Sequence, residues 1–176
     1  NEIWLDLNEK QRETYDREFE EARLSLSKPG VTRVHIFALI NKLKQICNLD
    51  PDTGDSSKKD YLIEQLEEVV EGGYKALVFS HFPTKTLSQL KETLEPYSPE
   101  MFHGGLSANQ REKIFKEFQE NETPKVLLAS VKAAGVGLNL TRANHVFHFD
   151  HWWNPAVARQ AEARAWRIGQ TETVFV

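Results

Sequence analysis

The chain has 176 residues, 40% hydrophobic and 27% charged, which suits one domain with a core, or one domain with a helical appendage. No apolar run approaches the ~20 residues of a membrane helix, and a single cysteine, Cys47, excludes an internal disulfide and fits a reducing compartment. The net charge of −4 argues against a simple nucleic-acid binder, which is usually basic. Because the chain begins with Asn1 rather than Met, we expect it to start inside a longer protein.

The charge is divided unevenly along the chain. Residues 1–74 carry 16 acidic and 10 basic side chains, whereas residues 75–176 carry 10 acidic and 12 basic ones. The second part is therefore the better candidate to face a polyanion, through local phosphate contacts.

The first third of the chain has the spacing of helices. A helix is predicted to begin after Asn8, with Gln11 at the capping-box position, and to stop at Pro29. A second helix follows Thr32, and a third runs from about Lys58 to a pair of glycines.

Strands and helices alternate in the rest of the chain. Short apolar runs predict strands at 76–79, 101–102, 126–129, 146–149 and 174–176. Helices are predicted over 84–95, after the Ser107 capping box, and over 155–167. This alternation with short connections predicts an α/β fold with a doubly wound parallel sheet.

The last fifth of the chain carries the most informative motif. Gln160, Arg164, Arg167 and Gln170 follow one another at helical spacing, which places the two arginines on one helix face. Guanidinium groups bind phosphate oxygens in bidentate fashion and stay charged at working pH. For an isolated arginine pair, a solvated face with salt bridges is the more common explanation.

Two further segments precede this motif. Gly135 and Gly137 follow a predicted strand, where a glycine loop can bring backbone amides close to a phosphate or can simply form a tight turn. Asp150 follows the next strand, at the sheet edge where α/β proteins place their sites. Trp152 and Trp153 could equally be core aromatics.

Three histidines, His145, His148 and His151, are spaced by three residues. On a strand, His145 and His148 point to opposite faces and cannot share one ion, so we expect no metal site here.

The order and spacing of these segments resemble motifs V, Va and VI of the SWI/SNF-type ATPases of helicase superfamily two. The resemblance implies a RecA-like second lobe over 57–176, truncated at its C-terminal end, preceded by a helical protrusion or linker segment over 1–56. It implies that Arg167 is an arginine finger, that Arg164 contacts the terminal phosphates of ATP, and that Gln160 orients water or the arginines. Gly135 and Gly137 would lie near the nucleotide.

The resemblance also implies contacts to DNA. The residues it places along the DNA backbone are Ser80, His103, Gly104, Arg111, Ser130, Lys132 and Trp153. Asp150 and Asn154, in the element that ends at Pro155, would couple the nucleotide cleft to the DNA.

Some positions depart from the family pattern. The family usually has Asp at 163 and His at 166, where Ala163 and Trp166 stand. It commonly has Gly at 134 and Gln at 81, where this chain has Ala134 and His81.

The sequence contains no Gly-x-x-x-x-Gly-Lys-[Ser/Thr] phosphate loop and no Asp-Glu-x-His magnesium motif. We therefore expect ATP and Mg²⁺ to be held mainly by an N-terminal RecA-like lobe of the same protein, and this chain alone to be inactive. The expected partners are that lobe and double-stranded DNA, with no membrane and a monomeric chain. The expected location is the cytoplasm or nucleoid of a prokaryote, or the nucleus of a eukaryote.

Two alternatives remain at this point. One is a non-catalytic DNA-binding or scaffold domain that keeps the shape of the lobe, and Ala163, Trp166 and Ala134 favour it. The other is an RNA helicase lobe, against which the Ile168 to Gln170 ending and the segment from Asp150 to Pro155 argue.

Overall fold

The structure, a computed structural model, describes residues 2–27, 30–134, 140–151, 155–163, 165 and 170–176. The chain divides into two compact units, 2–62 and 63–176, and the division falls inside the third helix. The domain boundary that the sequence predicts between residues 56 and 57 stays a prediction. Within the described ranges, no helix combines the length and the apolar character needed to cross a membrane.

The described residues form helices and parallel strands in an alternating order after residue 75. The helices are α1 (Glu9–Leu26), α2 (Arg33–Asn48), α3 (Ser57–Glu71), α4 (Ser88–Thr93), α5 (Ala108–Glu120), α6 (Val131–Ala134) and α7 (Pro155–Glu162). The strands are β1 (Ala76–Ser80), β2 (Glu100–Phe102), β3 (Val126–Ser130) and β4 (His145–His148).

Unit 2–62 is built on the antiparallel pair that α1 and α2 form through their short connection. The predicted cap of α1 is present, because the Gln11 amide donates to Asn8 Oδ1 at 2.9 Å. The Gln11 side chain is buried and takes a different role: its Nε2 donates to the Ile46 carbonyl at 2.8 Å, and its Oε1 accepts from the Ser57 amide at 3.1 Å. One glutamine thus joins three helices, which its place in a capping box did not predict.

The sheet confirms the predicted fold class. The described strands pair in parallel in the order β2-β3-β1-β4, with Ser80 opposite Ser130 and Phe79 opposite His148. Every residue of β1 and β3 is buried, as expected for strands covered on both faces. The predicted last strand is reduced to a parallel bridge between Phe175 and His145.

The predicted helix over 84–95 is divided in the structure. A π-helical turn at Pro83–Leu87 leads into α4, and a 3-10 turn at Glu95–Tyr97 follows it. Proline explains the irregular end after α4, because Pro96 has no amide hydrogen to donate to the preceding turn. Pro83 stands at the start of its turn, where no amide hydrogen is needed. The Ser107 capping box that opens α5 is confirmed, with Ser107 and Gln110 exchanging both hydrogen bonds.

A buried lysine lies at the amino edge of the sheet, just before β1. Lys75 is 1% exposed, and its Nζ donates to the carbonyls of Phe118 at 2.7 Å and Asn121 at 2.5 Å. These carbonyls lie at the C-terminus of α5, where the helix leaves acceptors unpaired. Burial first, and then the charges of Arg142 and Lys125, lower the pKa of Lys75 from 10.5 to about 8.

Candidate functional site

The carboxyl edge of the sheet brings together three polar residues that the sequence assigns to function. Ser80 ends β1, Ser130 ends the neighbouring β3, and Asp150 follows β4 by two residues. All three are buried. Parallel strands end at the same edge, which explains why residues 70 positions apart in the chain meet there.

Asp150 is the centre of this edge. Its Oδ2 accepts from Ser80 Oγ at 2.5 Å, and its Oδ1 accepts from the His81 amide at 3.0 Å and lies 2.7 Å from His81 Nδ1. Ser80 Oγ in turn accepts from the Phe82 amide at 3.1 Å. Both carboxylate oxygens are thereby tied to the residues that leave β1.

The environment of Asp150 favours its ionised form. Burial by itself raises the pKa of this carboxyl, but the hydrogen bonds from His81 and Ser80 outweigh burial and leave the pKa below its ordinary value of 3.8. The site therefore contains a buried carboxylate whose charge is balanced by local donors.

A second contact joins β4 to α7. His148 Nε2 lies 3.0 Å from Glu162 Oε1, and the His148 ring stacks on Phe79 with 5.6 Å between centroids. Burial lowers the pKa of His148, and the neighbouring charge of Glu162 opposes this. His145 lies on the other face of the sheet, stacked on Phe175 at 5.0 Å.

The end of β3 runs directly into α6. Ser130 Oγ accepts from the Ala133 amide at 3.3 Å and so caps this short helix. Lys132 is exposed on its surface. Gly135 and Gly137, the predicted nucleotide loop, follow α6 and lie outside the described residues.

The loop before α5 carries the other predicted DNA contacts. Arg111 Nη2 donates to the Gly104 carbonyl at 2.7 Å, and His103 Nδ1 accepts from the Gly105 amide at 3.1 Å. A Cβ atom at Gly105 would lie 3.1 Å from the His103 ring, so a larger residue there would displace this ring. The Arg111 side chain thus stabilises the loop at Gly104 through its hydrogen bond.

The nucleotide motif is described in part. Gln160 is exposed on α7, whereas Arg164, Arg167, Trp153 and Asn154 lie outside the described residues. The helix predicted over 155–167 is present as α7 up to Glu162, and the Ala165 amide donates to the Glu162 carbonyl at 3.0 Å. Ala165 is 0% exposed in the core of the sheet unit, and its carbonyl accepts from Gln170 Nε2 at 3.3 Å. Gln170 Nε2 also donates to the Ala143 carbonyl at 3.0 Å.

The sequence interpretation missed the roles of His81, Glu162 and Gln170. His81 and Glu162 act through contacts between elements far apart in the chain, which no local spacing reveals. A signal existed for His81, because it immediately follows Ser80 at a strand end.

Comparisons with known proteins agree with the fold. A family model described as the helicase conserved C-terminal domain matches residues 57–169. The chain is 37% identical over 185 residues to an uncharacterized ATP-dependent helicase of Mycoplasma pneumoniae, covering 99% of this chain and 18% of that protein. It is 46% identical over 123 residues to DNA repair protein RAD5A of Arabidopsis thaliana, covering 69% of this chain and 12% of that protein.

The structural comparison leads to the same group. The structure of the Sulfolobus solfataricus SWI2/SNF2 ATPase core in complex with dsDNA superposes with a TM-score of 0.78 at 34% identity, covering 96% of this chain and 38% of that one. The chain spans less than a fifth of the length of the curated relatives above. The parallel sheet, its polar carboxyl edge and these matches together show that the chain belongs to the helicase conserved C-terminal domain family, as the C-terminal RecA-like lobe of a SWI/SNF-type ATPase of superfamily two.

Proposed function

We propose that this lobe completes the motor of an ATP-dependent translocase that moves along double-stranded DNA. The observation that carries the proposal is the Asp150 carboxylate, which joins the end of β1 to the segment leading into α7. The end of β1 belongs to the proposed DNA side, and α7 leads to the arginines of the proposed nucleotide side. A motor needs such a connection, because hydrolysis in one place must change the grip on DNA in another.

On the nucleotide side, Arg167 acts as an arginine finger and Arg164 contacts the terminal phosphates. The anchoring of Ala165 in the core supports this role, since it fixes the chain next to Arg164 and two residues before Arg167. An arginine finger stabilises the charge that spreads over the transferred phosphoryl group and contributes on the order of 10³–10⁵ in rate. Gln160 orients water or the arginines, and the loop of Gly135 and Gly137 approaches the nucleotide.

The phosphate loop and the magnesium ligands come from an N-terminal lobe of the same protein. The present sequence contains neither motif. The described residues hold no group of three or more His, Cys, Asp or Glu side chains suited to a metal. Mg²⁺ held by that lobe would offset the negative charge of the phosphates, and the arginines of this chain would add positive charge.

On the DNA side, contacts run along the phosphate backbone. Lys132 is exposed and is the described residue best placed to contact a phosphate. Ser80 and Ser130 are buried and hydrogen-bonded within the lobe, so they support the contact surface from below. Arg111 holds the Gly104 loop, next to His103, and Trp153 completes the surface. Contacts of this kind position DNA without reading its sequence.

The test uses the complete protein and compares two arginines. Arg167→Ala is expected to lower DNA-stimulated kcat by at least about 10³-fold while ATP affinity stays within a few-fold. The matched control is Arg142→Ala, an exposed arginine at the amino edge of the sheet that pairs with Glu122. Arg142→Ala is expected to leave turnover unchanged. Unchanged turnover in Arg167→Ala would contradict the proposal.

The same assay separates the competing functions. A complete protein that binds duplex DNA without any ATP turnover would be a scaffold, as the departures at Ala163 and Trp166 suggest. Stimulation by RNA rather than by duplex DNA would identify an RNA helicase.

A further inference from the structure

His81 lies at the point where the chain leaves β1, and its side chain is 3% exposed. It contacts one oxygen of Asp150 twice, through its amide at 3.0 Å and through Nδ1 at 2.7 Å. The other oxygen of Asp150 is held by Ser80 at 2.5 Å. His81 therefore holds this carboxylate through both its backbone amide and its ring.

These contacts also concern the backbone that follows β4. The Phe149 amide donates to the Phe79 carbonyl at 2.9 Å, which continues the pairing of β1 with β4 up to Asp150. Five residues later Pro155 begins α7. The contacts of Asp150 therefore fix the chain at the point where it leaves the sheet. The contact of His148 with Glu162 holds α7 from the same strand.

A buried carboxylate needs such donors. Without hydrogen-bond partners, an ionised carboxylate away from water is strongly unfavourable, and the chain around it would rearrange. Loss of the His81 ring would remove the Nδ1 donor from Oδ1 of this buried carboxylate and would weaken the contacts that fix its orientation.

We propose that His81 is a positioning residue that acts through Asp150 to orient the segment leading into α7, and thereby couples DNA contact at the end of β1 to ATP turnover. This inference rests on the proposed function above. His81 itself touches neither nucleotide nor DNA in this scheme.

The test replaces His81 in the complete protein and measures the ratio of DNA-stimulated to DNA-independent ATP turnover. His81→Leu removes the Nδ1 contact and is expected to lower this ratio by about tenfold, the size of a lost hydrogen bond to a charged group. The KM for ATP and the DNA concentration for half-maximal stimulation are expected to stay within about twofold, because no binding contact is removed.

His81→Asn is the matched rescue variant. The asparagine Nδ2 is the same number of bonds from Cβ as the histidine Nδ1, so it can donate to the same oxygen of Asp150. We expect it to keep the stimulation ratio within about threefold of the unsubstituted protein. If His81→Leu does not fold, as judged by thermal unfolding, His81→Ala carries the same expectation without the added branched side chain.

The outcomes separate this inference from the proposed function. An unchanged ratio in His81→Leu, or an equal loss in His81→Asn and His81→Leu, would overturn the role of His81. Either result leaves the proposed function standing if Arg167→Ala still abolishes turnover. Unchanged turnover in Arg167→Ala would remove the proposed function itself.

Discussion

The buried charges at the two edges of the sheet have different kinds of partners. At the amino edge, Lys75 places its ammonium on the C-terminal carbonyls of α5, and both partners belong to one turn. At the carboxyl edge, Asp150 joins the end of β1 to the segment before α7. The first arrangement joins the start of β1 to the end of one helix, whereas the second joins the two sides of the lobe that we propose to face DNA and nucleotide. Burial of a charge therefore does not by itself indicate function. The elements that the buried charge connects are the better indication.

The largest expected effect is a difference in stability between substitutions at the two edges of the sheet. Asp150→Ala leaves the donors of Ser80 and His81 unpaired and is expected to lower the free energy of unfolding by about 3 kcal/mol, as measured by urea denaturation. Glu122→Gln, at the exposed amino edge, serves as the control and should change stability little. Equal losses of stability from the two substitutions would contradict this difference between the edges.

The stabilisation by Asp150 is also expected to depend on pH. The pKa of Asp150 is below 3.8 in the folded protein, so its stabilising contribution is fully present above 3.8 and is lost as the pH falls through the lowered pKa. The stability difference between the protein and Asp150→Asn should therefore shrink in acid. A difference that grows below pH 3.8 would contradict this assignment.

The next effect concerns the amino edge and has the same sign as that of Asp150, but it lies in an alkaline pH range. Folding lowers the pKa of Lys75 from 10.5 to about 8, so the unfolded chain binds more protons between these values. The stability of the protein relative to Lys75→Met should rise with pH in this window, by about 1 kcal/mol. Lys113→Met, whose lysine is exposed on α5, is the control and should show no such rise.

The smallest effect concerns DNA binding. In the complete protein, Lys132→Ala is expected to weaken binding to duplex DNA equally for all sequences and to reduce the salt slope by about one unit. Lys116→Ala, an exposed lysine on α5, is the matched control and should leave the slope unchanged. Effects that depend on DNA sequence would argue against a backbone contact at Lys132.

Much of this lobe could be predicted from its sequence. The apolar runs of β1, β3 and β4 predicted buried parallel strands, and the position of Asp150 after a strand predicted its place at the edge of the sheet. Local rules also predicted the caps of α1 and α5, since a cap depends on residues three positions apart.

The remaining features depend on contacts across the fold. Nothing within a few residues of His81 indicates Asp150, and nothing near Lys75 indicates the end of α5, because 69 and 43 positions separate these partners. Gln11 shows the same limit, because its local spacing predicted a capping box but its side chain reaches Ile46 instead. The spacing of residues in the sequence predicts helices and strands. The partners of buried polar side chains, in contrast, become neighbours only through the order in which these elements pack.

The most direct test is the structure of the complete protein bound to duplex DNA and to a transition-state analogue of ATP hydrolysis. The decisive quantity is the distance from the Arg167 guanidinium to the analogue of the γ-phosphate. We predict a hydrogen-bond distance of about 2.7–2.9 Å, as in other arginine–phosphate pairs. An Arg167 side chain turned to solvent in the closed, DNA-bound motor would contradict the account.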